Sequence, residues 1–260
     1  MATAIKKKSA KKAAKKRVQG ALYLYGVSLP RKKAVEISAE AVDGNATIEA
    51  ARIAGFDAWI SRVERGEYAD HLAENMENLE WLATIGVRHQ RAVAELATKT
   101  EILPARFGTV FLTDTSLREH IEGQKKSIQS VFKKIAGAEE WGVKIFRATA
   151  AKAPAMIEAS SGTDYLKRKA QTVMPRTKEE DPVLSEFVKE LSNASVDTAP
   201  GGKASAGQPN LVWHGSFLVK RAEQKSFAAA LKQFTAKLAD RYRVECSGPW
   251  PPYSFVGQHG

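Results

Sequence analysis

The 260-residue sequence is poor in the parts that most chemistry requires. It has one cysteine, Cys246, so it offers neither an intrachain disulfide nor a pair of thiolates for a metal, a pattern suited to a reducing cytoplasm. Its five histidines, at 71, 89, 120, 214 and 259, include no His-Glu-x-x-His spacing to set two ligands on one helical face. Gly201-Gly202-Lys203 continues into Ala204 and lacks the earlier glycine of a phosphate-binding loop. No apolar run approaches the roughly 20 residues of a bilayer-spanning helix. The stretch from Ala21 to Leu29 is too short for a secretory signal, carries two tyrosines, and has no small-residue cleavage site. The expectation is a protein with no catalytic, cofactor or metal site, no small-molecule substrate and no membrane association.

Acidic residues are missing locally. Lys6, Lys7, Lys8, Lys11, Lys12, Lys15, Lys16 and Arg17 supply eight positive charges with no acid among them, so of the net charge of +11 only +3 belongs to the remainder. Residues 1–18 have almost no large apolar side chain to offset their ordering entropy, and read as a disordered basic tail. Such a tail solubilises, or attracts an acidic partner or nucleic acid. Nucleic-acid binding is expected only through it, because no strand carries the glycine and aromatic pattern of a base-stacking sheet.

What is present is a globular composition, 43% hydrophobic and 27% charged, long enough for two domains. Ala21 to Val27 reads as a first strand stopped at Pro30, Asp43-Gly44-Asn45 as a turn, and Asp57 to Val63 as a further strand. From Glu74 to Thr98 the period changes: Leu79, Leu82, Gly86, His89, Val93 and Leu96 recur at steps of three and four, which predicts one long amphipathic helix. A strand over Glu101 to Phe111 and a helix over Ser116 to Ala136 follow, ended by Gly137. The pattern then begins again. A strand over Glu140 to Arg147, a helix over Thr163 to Thr172 and another opening at Asp181-Pro182 lead to a flexible loop over 193–210. A strand from Leu211 to Val219, a helix from Glu223 to Arg241 and a strand from Tyr242 to Cys246 precede a Pro-rich end.

This order predicts an α+β (mixed α/β) chain of two small sandwiches of ferredoxin-like character, each a small sheet covered by helices. The expected division is an N-terminal domain over 19–137 and a C-terminal domain over 138–260. His89, on the apolar stripe of its helix, reads as a tethered core or interface histidine and not as a general base. Cys246 reads as a small buried hydrophobe.

Four segments carry a family resemblance. Leu103-Pro-Ala-Arg-Phe-Gly-Thr-Val110, preceded by the helix bearing His89, resembles the LP-x-RFG-T signature of the gas vesicle GvpF/GvpL proteins, and Gly248-Pro-Trp-Pro-Pro-Tyr-Ser-Phe-Val256 resembles their GPWPPYSF motif. Tyr23-Leu-Tyr-Gly26 is similar to the family's first strand and Gly162-Thr-Asp-Tyr-Leu166 to its glycine-to-tyrosine motif, so the likeness covers about residues 21–256. The Lys-rich tail, the 193–210 segment and Trp213-His214, in place of a more aliphatic strand, depart from the pattern. The resemblance implies two domains of ferredoxin-like character and a chaperone-like or nucleating contact with GvpA, the small hydrophobic shell protein of the gas vesicle, and with other accessory gas vesicle proteins. A partner for an apolar subunit needs apolar surface of its own. Trp250, Tyr253 and Phe255, spaced by stiff prolines, are partner-binding candidates, although packing across their own domain as a lid is the preferred reading. Arg106 and Phe107 are further candidates, with a structural tie between strand and helix the preferred role for Arg106.

Overall fold

The computed structural model of the chain describes residues 20–148, 181–201 and 208–256. The basic tail over 1–18 and the predicted helix over 163–172, with its glycine-to-tyrosine motif, lie outside the described residues.

Both halves repeat one strand order. In the first, β1 (Gly20–Ser28), β2 (Glu49–Ile53), β3 (Phe56–Glu64) and β4 (Ile102–Pro104) form an antiparallel sheet in the order β2-β3-β1-β4, with the two-residue β5 (Val110–Phe111) also pairing with β1. In the second, β6 (Ala138–Arg147), β7 (Asp197–Pro200), β8 (Leu211–Lys220) and β9 (Tyr242–Trp250) take the order β7-β8-β6-β9. Each half therefore places its first strand between its third and fourth, as a ferredoxin-like split β-α-β unit does. The second half has both crossover helices, α5 (Pro182–Asn193) and α6 (Gln224–Leu238). In the first half the irregular segment 29–48, with Ala41 and Val42 buried, stands where the first crossover helix would be.

The other α-helices among the described residues are α1 (Leu72–Glu77), α2 (Leu79–Lys99), α3 (Asp114–Gly123) and α4 (Lys125–Ile135). One face of the first sheet, with Tyr23, Tyr25 and Trp59, packs on Ile85, Ala92, Val93 and Leu96 of α2. Its other face, with Leu24, Phe56 and Ile60, shares a core with Leu117, Ile121, Ile128 and Phe132 of α3 and α4 and with Leu218 of the second sheet. The second sheet buries Val143, Ile145 and Phe217 against Phe187 and Leu191 of α5 and Phe227 and Phe234 of α6.

Several predicted elements are corrected, each by an identifiable local cause. The long helix from Glu74 breaks at Asn78, which is extended (ψ 108°) and caps α2 by accepting from the N–H groups of Glu80 and Trp81 at 3.0 and 3.2 Å. Leu79, the first member of the predicted stripe, is consequently 80% exposed beyond the sheet. The helix over 116–136 is two helices, because Gly123 weakens it and Gln124 leaves helical geometry. The strand over 101–111 is interrupted after Pro104 by a turn in which Gly108 has φ 79° and Thr109 N–H donates to the Arg106 carbonyl at 3.2 Å. Within the predicted loop 193–210, β7 pairs with β8 from Asp197 to Pro200, aided by an ion pair from Lys134 to Asp197. Tertiary pairing overrides the weak local signal of Asp-Thr-Ala-Pro. Cys246 is exposed on the edge strand β9, not buried.

Gly26 lies at a bulge in β1, where the register with β3 moves from Leu24↔Ile60 to Gly26↔Trp59. A Cβ there would stand 2.5 Å from the Leu103 carbonyl oxygen and 2.8 Å from Ile102 Cδ1. Gly26→Ala therefore forces β1 and β4 apart, with an expected loss of about 1–3 kcal/mol in chemical denaturation.

Candidate functional site

The segments that stand out in the sequence meet at one place in the fold. Tyr23 of β1 points to the α2 side of the first sheet, where its hydroxyl accepts from Gly108 N–H at 3.1 Å and contacts His89 Nδ1 at 3.0 Å. The other ring nitrogen of His89 lies 3.3 Å from the Tyr253 hydroxyl. One hydrogen-bond direction suits the whole chain: Gly108 N–H to Tyr23, Tyr23 O–H to Nδ1, and Nε2–H to Tyr253. Tyr25 stacks on His89 with centroids 6.0 Å apart, and Phe107 meets the ring edge-on at 5.7 Å.

Burial disfavours charge throughout this cluster. His89 is lowered to about 4 by desolvation, so it is a neutral imidazole at ordinary pH, and the hydroxyls of Tyr23 and Tyr253 are raised by the same cause. A histidine lowered this far, with tyrosine hydroxyls as its hydrogen-bond partners, is suited to structure and poorly suited to abstracting protons near neutrality.

The segment after β9 crosses from the second sheet to the first. Its anchor on the second sheet is Glu140 of β6, whose carboxylate accepts from Ser254 N–H at 2.9 Å and Ser254 Oγ at 2.6 Å. Phe255 and Val256, 6% and 4% exposed, join the core shared by the first sheet, α3, α4 and Leu218. The irregularity near the end of β9 demands glycine: Gly248 has φ 139°, and a Cβ there would stand 2.9 Å from the Glu140 carbonyl.

Five candidate residues are thus distributed unequally. Phe255 is in the core, Tyr253 is half-buried on His89, and Phe107 packs on His89 and Trp81. Arg106 is exposed at the turn. Trp250 is 45% exposed, its indole N–H donating to Ser247 Oγ at 3.2 Å. Beside it lies an open cleft of about 290 Å³ whose wall is largely apolar, with Ala97, Ile102, Ile135 and Ala138 facing Pro249, Trp250 and Pro252. Sequence reasoning passed over Glu140 and Ser254. An acid among the aromatic and β-branched residues of a core strand was the available signal for the first.

Among the described residues no group of three or more His, Cys, Asp or Glu side chains is arranged to hold a metal ion, and no helix is long and apolar enough to cross a membrane. Residues 21–257 match the family of gas vesicle synthesis proteins GvpL/GvpF. The chain belongs to the GvpF/GvpL family. It is 29% identical over 199 residues to gas vesicle protein L of a Streptomyces species, spanning 72% of this chain and 74% of that protein. It is 22% identical over 241 residues to gas vesicle protein F1 of Halobacterium salinarum, spanning 92% and 93%. The crystal structure of the gas vesicle protein GvpF from Anabaena superposes with a TM-score of 0.66 at 19% identity, over 91% of this chain and 96% of that one. That of GvpF from Microcystis aeruginosa gives 0.64 at 18%, over 91% and 98%.

Membership implies a part in gas vesicle assembly, since the family is one of gas vesicle synthesis proteins. In this GvpF/GvpL chain the His89 helix, the Arg-Phe-Gly turn and the Pro-rich motif are one joint: Gly108, Tyr23, His89 and Tyr253 are consecutive links in it.

Proposed function

We propose that this protein is a non-catalytic assembly factor that binds the hydrophobic shell protein GvpA, alone or with other accessory gas vesicle proteins, and covers its apolar surface until it joins the vesicle wall. It acts in the cytoplasm, at the growing vesicle, with the halves 19–137 and 138–260 as two domains held by the C-terminal segment. The observation that carries this reading is Trp250. Phe255 of the same motif is buried and Tyr253 is half-buried, whereas Trp250 stands half in solvent beside an apolar cleft. An indole against rigid prolines presents a large apolar area at little cost in side-chain entropy, the usual make-up of a binding anchor. An apolar side chain of the shell protein is the occupant proposed for the cleft, since a large uncovered apolar patch on an unassembled subunit aggregates.

Trp250→Ala is the test in cells. Because the side chain is half exposed, stability should change by no more than about 0.5–1 kcal/mol. The variant is expected to accumulate normally, with gas vesicles reduced or absent by electron microscopy. Normal vesicle number with this variant would remove the cleft from the interaction surface.

A further inference from the structure

We infer that β9 is a self-complementary sheet edge through which two copies of this chain pair antiparallel about Val244. The inference is independent of the shell-protein reading. In the order β7-β8-β6-β9, β9 is the outermost strand, and among the described residues the backbone of Tyr242–Ser247 pairs only with β6. Unpaired edges invite another strand, and proteins usually blunt them with a bulge, a proline or charged side chains. Neither a bulge nor a proline interrupts Tyr242–Ser247: the register runs unbroken from Arg147↔Tyr242 to Gly142↔Ser247, with the irregularity and Pro249 lying beyond it.

The charges on this edge are of opposite sign and two residues apart. Arg243 and Glu245 are both exposed and form an ion pair with each other along the strand. The Arg243 guanidinium lies over the Phe146 ring, 4.5 Å from its centroid, which fixes its place on the sheet face. In an antiparallel pair centred on Val244, Arg243 of each copy stands opposite Glu245 of the other, so two opposite-charge cross-strand pairs form at once. Shifting the centre to residue 243 or 245 sets two arginines or two glutamates face to face, and like charges directly opposite are destabilising. The charge pattern therefore selects one register. The two four-stranded sheets become one continuous sheet, with Val244, which packs towards α6, on the same face in both copies.

Sedimentation velocity of the full chain over a concentration series tests this directly. The wild-type weight-average mass should rise towards twice the monomer mass. Arg243→Glu alone and Glu245→Arg alone each place like charges opposite one another and should weaken association at least roughly tenfold. The double variant R243E/E245R restores both pairs and should dimerise again. An equimolar mixture of the two single variants should also associate, because each chain then carries two charges opposite to its partner's. Circular dichroism melts confirm that all variants fold. A wild-type chain that stays monomeric at every concentration overturns the inference, as do single variants that dimerise like the wild type or a mixture that remains monomeric.

Discussion

Phe255→Ala is expected to cost about 3–5 kcal/mol and to lower the thermal midpoint by roughly 10 °C. The ring is 6% exposed and shares a core with Leu24 and Ile60 of the first sheet, Phe132 of α4 and Leu218 of the second sheet. Truncation leaves a cavity where several elements meet, and the core around it relaxes only partly. A loss of that size from a residue that follows the last strand would establish that the C-terminal segment holds the two halves together. Trp250→Ala, five residues earlier and half exposed, is the control and should leave the midpoint nearly unchanged. Equal midpoints for the two variants in differential scanning calorimetry would contradict the buried placement of Phe255.

Acid should weaken the same joint through His89. The folded protein holds this imidazole at about 4, against an ordinary value of 6.5, while the unfolded chain takes up a proton near the ordinary value. Between these two values the unfolded state binds the extra proton, so stability falls as pH drops from 6.5 to 4 and is independent of this group above that window. The full loss is about 3 kcal/mol, of which roughly 2 kcal/mol is spent by pH 5. His89→Gln retains one acceptor for Tyr23 and one donor for Tyr253 but cannot be protonated. Urea denaturation at pH 7, 6 and 5 should therefore show the wild type losing stability faster than the glutamine variant. Parallel losses would mean that His89 is not desolvated in the folded protein.

Much of the architecture is legible in the sequence because the apolar periods are strong where elements are long. The strands at Ala21–Val27, Glu140–Arg147 and Leu211–Val219 and the helices opening at Pro182 and Gln224 stand where alternation or three-four spacing places them. The breaks were less legible. Asn78 and Gln124 are single residues inside long periodic stretches, and a period alone does not register one residue that leaves helical geometry. The strands β2 and β7 carry little apolar bulk, and they form because β3 and β8 offer edges to pair with.

The site was legible as motifs and not as geometry. Tyr23, His89, Gly108 and Tyr253 span 230 positions of chain, and nothing in their spacing says that they bond in series. The sequence also treats Trp250, Tyr253 and Phe255 alike, as aromatics among prolines. Strand pairing separates them, because β9 carries Trp250 at its outer end while the following turn, held by Glu140 and Ser254, delivers Phe255 into the core.

Capture of the shell protein is the most direct test of the proposed function. GvpA co-expressed with the tagged full chain should be recovered in pull-down, and Trp250→Ala, folded to the same midpoint, should recover several-fold less, as loss of a central aromatic anchor of about 1–2 kcal/mol requires. No recovery of GvpA by the wild-type chain, or undiminished recovery by the variant, would contradict the account.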